Sequence, residues 1–251
     1  MTATLPVGAD AAVELRDAAT VLLLRDGDRG LEVAMLRRRL ESGFVPGAYV
    51  FPGGGVDEAD RDPRWEDRCL GHDDATASSV LGVAEGGLAF WVAAVRECFE
   101  EAGLLVARRS DGRPLSFADP VEADRFSGHR AAVDQGHAEL FDVLVAEGLY
   151  LPIDELRYFA HWITPERAPR RYDTRFFVGR APADHELRHD GDETIAALWA
   201  RPADALDRFA AGDFELIRPT EHSLEILSAY PDTDAVLAAA ADAPVGMETS
   251  S

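Results

Sequence analysis

The segment that decides the fold runs Arg96-Glu97-Cys98-Phe99-Glu100-Glu101-Ala102-Gly103-Leu104. Its three glutamates stand at positions i, i+3 and i+4. If residues 89–102 are helical, these glutamates share one helix face, because residues three and four apart are neighbours on a helix. Apolar residues gather on the opposite face, and Gly103 is a typical stop after the last helical residue. The segment therefore predicts an amphipathic helix with one buried side and a block of negative charge on the other.

Three close carboxylates repel one another unless positive charge lies among them. A hard divalent cation bound through oxygen, such as Mg²⁺, meets this need. An E-x-x-E-E run by itself is more often a solvated helix face, so the metal interpretation depends on its flanks. Those flanks are Arg96 before the run, Gly103 after it and the stretch Phe51-Pro52-Gly53-Gly54-Gly55 upstream.

Together these segments resemble the signature of the Nudix hydrolases, G-x5-E-x7-R-E-U-x-E-E-x-G-U, in which U is a bulky apolar residue. The second half matches throughout if Cys98 is taken as apolar. The first half matches as Gly54, five residues and Asp60, which stands where the family has glutamate. Residues 61–95 lie between the halves, where the signature has only x7, so we interpret the box as split by an insertion.

The resemblance implies an α/β fold, the Nudix α/β/α sandwich with a mixed sheet, plus an inserted loop and helical decorations. It implies Mg²⁺ or Mn²⁺ as the cofactor. Glu97, Glu100, Glu101 and the carbonyl of Gly53 are then the expected metal ligands, with Glu97 alternatively orienting the attacking water. Arg96 is expected to pair with a carboxylate and hold it in place.

Three further positions are candidates at the same site. Gly54 belongs to the predicted glycine-rich loop and is expected to let the backbone approach metal and phosphate. Asp60 follows in that loop, either with a direct role or as a surface acid or structural brace. Glu193 precedes a predicted strand and is a candidate general base or extra ligand; an exposed turn carboxylate is the alternative.

Further segments resemble one branch of the family, that of the mammalian peroxisomal acyl-CoA diphosphatase, whose box is also interrupted. They include Ala160-His161-Trp162-Ile163-Thr164-Pro165 and the segment from Arg171 to Phe177. This resemblance implies cleavage of CoA or acyl-CoA into 3′,5′-ADP and (acyl-)phosphopantetheine. The CoA signature of the family is only partly present: Arg38 fits, but Gly43 stands where a second arginine is expected.

Arginines are the candidate substrate-binding residues, because guanidinium forks suit phosphate oxygens. We expect Arg38, Arg171 and Arg175 to bind substrate, with strand-end surface pairing as the alternative for each. An ADP-ribose or NADH pyrophosphatase remains open, since those ligands share the adenosine diphosphate. A non-catalytic ligand sensor is disfavoured, because the box keeps its three glutamates.

The pattern along the chain predicts a flexible arm over 1–16, a hydrolase domain over 17–230 and a tail over 231–251. Within the domain we expect an insertion at about 61–88 with little core of its own and a helical insert at about 118–148. Strand patterns fall at 18–24, 31–37, 157–163, 174–178 and 194–200.

Composition excludes several functions. The 251 residues carry a net charge of −21, from 25 basic and 46 acidic residues. This argues against nucleic-acid or anionic-membrane binding, which needs a basic surface. Two cysteines, Cys69 and Cys98, suggest neither a disulfide scaffold nor a zinc site. Without an apolar run of membrane-spanning length or a secretory signal pattern, we expect a cytoplasmic enzyme with a small-molecule nucleotide substrate; a homodimer is left open.

Overall fold

The computed structural model describes residues 13–40, 46–242 and 246–247; Gly43 and the outer parts of the predicted arm and tail lie outside these ranges. Within them a mixed sheet lies between two layers of helices. The strands are β1 (Leu15–Gly27), β2 (Gly30–Arg38), β3 (Tyr49–Val50), β4 (Gly53–Gly55), β5 (Cys69–Leu70), β6 (Arg108–Arg109), β7 (Leu149–Pro152), β8 (Arg157–Ile163), β9 (Arg171–Arg180), β10 (Thr194–Ala200) and β11 (Gly246–Met247). The helices are α1 (Asp74–Leu81), α2 (Leu88–Ala102), α3 (Pro120–Asp134), α4 (Leu140–Glu147), α5 (Pro202–Ala210), α6 (Arg218–Leu227) and α7 (Thr233–Asp242).

The main sheet has the strand order β10-β2-β1-β9-β8-β11, with β3 beside β2 and β4 beside β1. Strands β1 and β9 run parallel, from the pair Leu15–Arg171 to the pair Leu24–Arg180. The β1–β2 and β8–β9 pairs are antiparallel, so the sheet is mixed as expected. The five strand patterns predicted from the sequence correspond to β1, β2, β8, β9 and β10.

The alternation of side chains along β1 creates two cores, because successive residues of a strand point to opposite faces of the sheet. Val21 and Leu23 belong to a core shared with α2, α3 and α4. Leu22 and Leu24 belong to a second core shared with α5, α6 and α7. All four are at most 1% exposed, so β1 is buried on both faces and the α/β/α layering follows directly.

Helix α2 carries the glutamates and begins one residue before the predicted start at 89. Trp91, Val95 and Phe99 are at most 2% exposed and pack in the first core. The helix ends at Gly103, whose φ of 71° is a left-handed conformation that glycine adopts at little cost. The amphipathic pattern therefore predicts this helix correctly.

The insertion at 61–88 is more than a polar loop, because it adds buried side chains to the first core. It contains a 3-10 helix, Pro63–Asp67, and helix α1. Trp65 (3% exposed), Ala77 (0%) and Leu81 (7%) join the first core. Asp74 of α1 accepts hydrogen bonds of 3.0 Å from the main-chain N–H groups of Gly86 and Leu88. The insertion therefore supplies the cap at the start of α2, where helical N–H groups lack partners within the helix.

The region 118–148 contains two helices, α3 and α4, with Gly136 between them at a φ of 66°. A small sheet in the order β5-β7-β6 ties this region to the first insertion, because β5 lies in one and β7 directly follows the other. The longest helices in the described ranges have 15 residues, and none of them is long and apolar enough to cross a membrane.

Two predicted boundaries, those of the N-terminal arm and the C-terminal tail, need correction. The flexible arm cannot extend to residue 16, because Leu15 and Arg16 already pair with β9. The segment after residue 230 is packed rather than a plain tail: α7 places Val236 (0% exposed) in the second core. Thr233 donates two hydrogen bonds to Asp26 Oδ1, 2.8 Å from its main-chain N and 3.0 Å from its hydroxyl, which fixes α7 to the end of β1.

Candidate active site

The glutamate face of α2 is covered and is not a solvated helix face. The side chains of Glu97 and Glu100 are 14% and 16% exposed, and Glu101 is 7% exposed. The helix packs against β4 and the 3-10 turn Ala59–Arg61, which together cover these carboxylates. The face is polar and buried at once, which requires partners for each carboxylate.

Arg96 is the main partner. Its Nη1 donates to Glu97 Oε1 at 2.9 Å and to Glu100 Oε2 at 3.1 Å. Its Nη2 donates to the carbonyl of Gly55 at 2.8 Å. Its Nε and Nη2 form a two-pronged pair with Asp60 at 2.9 and 2.8 Å. One guanidinium thus holds three carboxylates and the end of β4, where the sequence predicts a single pair.

Asp60 is a brace for Arg96 and not a surface acid. Its residue exposure is 2%, and its Oδ2 also accepts the main-chain N–H of Asp57 at 2.8 Å. It stands in the short 3-10 helix Ala59–Arg61 rather than in an open loop. The aspartate satisfies Arg96 with both oxygens, which explains how the shorter side chain works at the box position where the family has glutamate.

The predicted glycine-rich loop is a strand, which corrects the placement of Gly53 and Gly54. The three glycines form β4 and pair antiparallel with β1 at Ala18, Ala19 and Thr20. A Cβ on Gly54 would lie 2.5 Å from Glu97 Cδ, and one on Gly53 would lie 2.4 Å from the carbonyl oxygen of Ala19. Only glycine fits at these two positions, because any side chain would collide with these neighbouring atoms.

Glu101 is held by the same strand. The main-chain N–H of Gly53 donates to Glu101 Oε2 at 3.1 Å. The helix that carries the glutamates and the glycine strand are therefore joined by a charge-assisted hydrogen bond at the site itself.

The electrostatics of the cluster call for more positive charge than Arg96 supplies. Burial raises the pKa of Glu97 to about 7, although the charge of Arg96 acts in the opposite direction. Burial and the charge of Glu97 raise the pKa of Glu101 well above its usual range. Burial likewise raises the pKa of Glu100. An added cation would favour the ionised form of all three and so lower these pKa values.

The donor set fits a hard divalent cation. Within the part of the chain that the structure describes, no three His, Cys, Asp or Glu side chains converge as a formed metal site. The reason is visible in the contacts: Glu97 and Glu100 turn toward Arg96, and Glu101 turns toward the Gly53 amide. These side chains offer carboxylate oxygens, and their negative charge exceeds the positive charge of Arg96. Mg²⁺ and Mn²⁺ prefer oxygen ligands.

A cavity of about 620 Å³ opens beside the cluster. Glu97, Glu101 and the glycines of β4 line it together with Arg38 and Glu193. The side chain of Glu193 is 67% exposed and its Oε2 lies 3.8 Å from Arg38 Nη2. Residues from four separate parts of the chain therefore meet at this cavity.

Arg171 and Arg175 are not brought to the cavity, unlike Arg38. Arg171 Nε donates to the carbonyl of Thr164 at 3.2 Å. Arg175 is 5% exposed, pairs with Asp173 and lies 5.5 Å from the ring centre of Phe90, on the α2 side of the sheet. The strand alternation explains this placement, because odd-numbered residues of β9 face α2 there and even-numbered ones face the cavity.

Arginines and an aromatic residue from other parts of the chain also line the cavity. Arg170 and Tyr172 line it from β9 and its approach, and Arg218 and Thr220 line it from the first turn of α6. The position of Tyr172 could have been predicted from the strand pattern, because even-numbered residues of β9 face the cavity. No local signal marks Arg218, because only the packing of α6 brings it to the sheet.

Comparison with known proteins agrees with this architecture. A family model described as the NUDT19 Nudix domain matches residues 72–226, more than half of the chain. The acyl-coenzyme A diphosphatase NUDT19 of Gallus gallus is 31% identical over 256 aligned residues, covering 83% of this chain and 67% of that protein. The Homo sapiens protein of the same name is 26% identical over 230 residues, covering 80% and 61%. The chain thus spans about two thirds or less of the length of these relatives.

A solved structure is similar over nearly the whole chain. The Nudix hydrolase from Alicyclobacillus acidocaldarius is 29% identical with a TM-score of 0.71, and the match covers 94% of this chain and 100% of that one. These findings confirm the resemblance read from the split box and the α/β/α Nudix fold.

Proposed function

Because the chain belongs to the NUDT19 Nudix domain family and is a Nudix hydrolase, we propose that it cleaves the diphosphate bond of CoA or an acyl-CoA. The products are 3′,5′-ADP and (acyl-)phosphopantetheine, and the reaction depends on Mg²⁺ or Mn²⁺. The relatives named above suggest this substrate. The cytoplasmic location and a homodimer stay predictions from the sequence.

One observation carries the proposal: carboxylates, arginines and an aromatic side chain line the same cavity. Glu97 and Glu101 supply the carboxylates. Arg38, Arg170 and Arg218 supply the positive charge, and Tyr172 supplies an aromatic ring. A ligand that contains both a diphosphate and a charged nucleotide matches this set of side chains.

The carboxylates hold the metal in this proposal. Glu97, Glu100, Glu101 and the main-chain oxygen of Gly53 are its ligands. A bound divalent ion neutralises phosphate oxygens and lowers the pKa of a water to be used as the nucleophile. Arg96 and Asp60 keep the glutamates in place, because their mutual hydrogen bonds of 2.8 and 2.9 Å are buried.

Two residues are candidates for accepting the proton of the attacking water. Glu193 stands at the rim with a largely exposed side chain, ready to exchange protons with solvent. Glu97 lies deeper, with its Oε1 engaged by Arg96 Nη1 at 2.9 Å, which leaves Oε2 for the proton. The variants Glu193→Gln and Glu97→Gln identify which residue is the general base. Only loss of the general base removes the acidic limb of the pH–rate profile while metal affinity is kept.

Substrate binding uses the arginines of the cavity. Arg38 lies beside the glutamates, where it can bind an oxygen of the diphosphate. Arg170 and Arg218 also line the cavity and are candidates to bind a nucleotide phosphate. Trp162 and Tyr172 line the same region and offer aromatic faces to a purine.

A substrate panel with product analysis by mass tests the proposal. Purified protein with Mg²⁺ is given CoA, an acyl-CoA, dephospho-CoA, NADH and ADP-ribose. We expect 3′,5′-ADP to appear from CoA, and Glu101→Gln to abolish its release while the matched exposed variant Glu58→Gln leaves the rate unchanged. Dephospho-CoA, which lacks the 3′-phosphate, reports the contribution of that phosphate to kcat/KM.

Two outcomes contradict the proposal. Preferential cleavage of ADP-ribose or NADH, measured as kcat/KM, would assign the chain to a different substrate class. A Glu101→Gln variant with full activity would remove the glutamates from the chemistry.

A further inference from the structure

The C-terminal end of α2 is held by a side chain from the region 118–148. Arg130 of α3 donates from Nε to the carbonyl of Glu100 at 2.9 Å and from Nη2 to the carbonyl of Glu101 at 2.9 Å. The neighbouring carbonyls have main-chain partners: Phe99 O accepts from Gly103 N at 3.1 Å, and Ala102 O accepts from Arg188 N at 3.0 Å. The last four carbonyls of the helix are therefore all satisfied, two of them by one guanidinium.

Arg130 is firmly seated. Phe126 stands one turn earlier on the same face of α3, is 1% exposed and packs in the first core. A Cβ on Gly103 would lie 3.1 Å from Arg130 Nη1, so the guanidinium lies against the end of α2. Burial lowers the pKa of Arg130, yet arginine stays charged at neutral pH because its ordinary pKa is so high. A positive charge at this position also complements the helix dipole.

We propose that Arg130 is a positioning residue for diphosphate hydrolysis. It fixes the main chain of Glu100 and Glu101 at the end of α2. The inserted helix α3 thus contributes to the active site without contacting the substrate. This inference rests on the proposed function, since it assumes that these glutamates serve a metal-dependent reaction.

The test compares Arg130→Ala, Arg130→Gln and Arg130→Lys with the control Arg125→Ala. Arg125 lies on the same helix but pairs with Glu147 of α4. Titration of the metal-free protein with Mn²⁺ by calorimetry gives the affinity for the metal alone. We expect Arg130→Ala to weaken Mn²⁺ binding and lower kcat, each by about 10-fold to 100-fold, as for other residues that orient metal ligands. KM for CoA should stay within about twofold, because the cavity is unchanged.

The variants separate positioning from general stability. Arg130→Lys keeps the charge but replaces the planar, two-pronged guanidinium with a single ammonium on a flexible stem, so an intermediate loss is expected. Arg125→Ala should lower Tm without changing Mn²⁺ affinity. Wild-type Mn²⁺ affinity and kcat in Arg130→Gln or Arg130→Lys would overturn the proposal, even if Arg130→Ala fails to fold.

Failure of the proposed function would look different. Wild-type protein that binds Mn²⁺ but cleaves no CoA contradicts the substrate assignment, while the Mn²⁺ titrations still decide the role of Arg130. Wild-type protein that binds no Mn²⁺ overturns the inference itself.

Discussion

Replacement of Asp60 by asparagine is expected to destabilise the protein by about 3 kcal/mol, the lower end of the range for removing one partner of a buried ion pair. The side chains of Arg96 and Asp60 are 10% and 1% exposed, so neither can recover its lost partner from water. Asparagine keeps one acceptor oxygen but loses the charge and the second oxygen that accepts from Asp57 N. The value stays at the lower end because Arg96 keeps its contacts with Glu97 and Glu100.

The effect is measurable by urea denaturation of the metal-free protein. With a slope of about 2–3 kcal/mol per molar urea, 3 kcal/mol moves the midpoint down by about 1 M. It corresponds to an approximately 100-fold change in the folding equilibrium, since about 1.4 kcal/mol is tenfold. Glu58→Gln is the matched control, because Glu58 is exposed in the same turn and should leave the midpoint unchanged.

A midpoint for Asp60→Asn within about 0.3 M of the wild type would refute this reasoning. It would mean that Arg96 finds equal stabilisation from the remaining carboxylates, and that Asp60 is not the brace of the cluster. The activity of the same variant should fall as well, because Arg96 orients Glu97 and Glu100.

Three further predictions follow from individual contacts. Gly54→Ala should lower kcat by up to about 100-fold, because its Cβ would lie 2.5 Å from Glu97 Cδ. Gly55→Ala is the control: its Cβ would have no atom within 4 Å, so its kcat should stay close to that of the wild type. Initial rates at saturating CoA measure both. Asp74→Ala should lower the free energy of unfolding by about 1–2 kcal/mol, measured in urea, because two N–H groups at the start of α2 lose their acceptor; an unchanged value contradicts the capping role. Burial lowers the pKa of His185 to about 4, so as pH falls this histidine is protonated in the unfolded chain before it is protonated in the folded protein. The free energy of unfolding should therefore decrease between about pH 6.5 and pH 4, by about 2 kcal/mol from pH 7 to pH 5. His185→Gln should abolish this part of the pH dependence, and an unaltered slope in that variant would contradict the prediction.

The sequence predicts the glutamate helix and the main strands because their signals are local. Glu97, Glu100 and Glu101 fall on one face by helical spacing, and Gly103 ends the helix as expected. The alternation of β1 likewise determines which residues enter each core. These features depend on neighbours within a few residues, which a sequence pattern can record.

Features that depend on distant contacts were beyond the sequence. The insertion at 61–88 looks polar, yet Asp74 caps α2 and Trp65 enters the core. Arg175 resembles a ligand-binding arginine, but the register of β9 directs it to the α2 side of the sheet. Arg130 carries no motif, because its role arises only from the packing of α3 on the end of α2.

The proposed function depends on the α2 glutamates binding divalent metal for diphosphate cleavage. The most direct test of this binding is an anomalous difference map from a crystal soaked in MnCl₂ at a concentration that supports turnover. We expect peaks beside Glu97, Glu100 and Glu101, and their loss in Glu101→Gln. A map without a peak at these carboxylates, from protein that still hydrolyses its substrate, would contradict it.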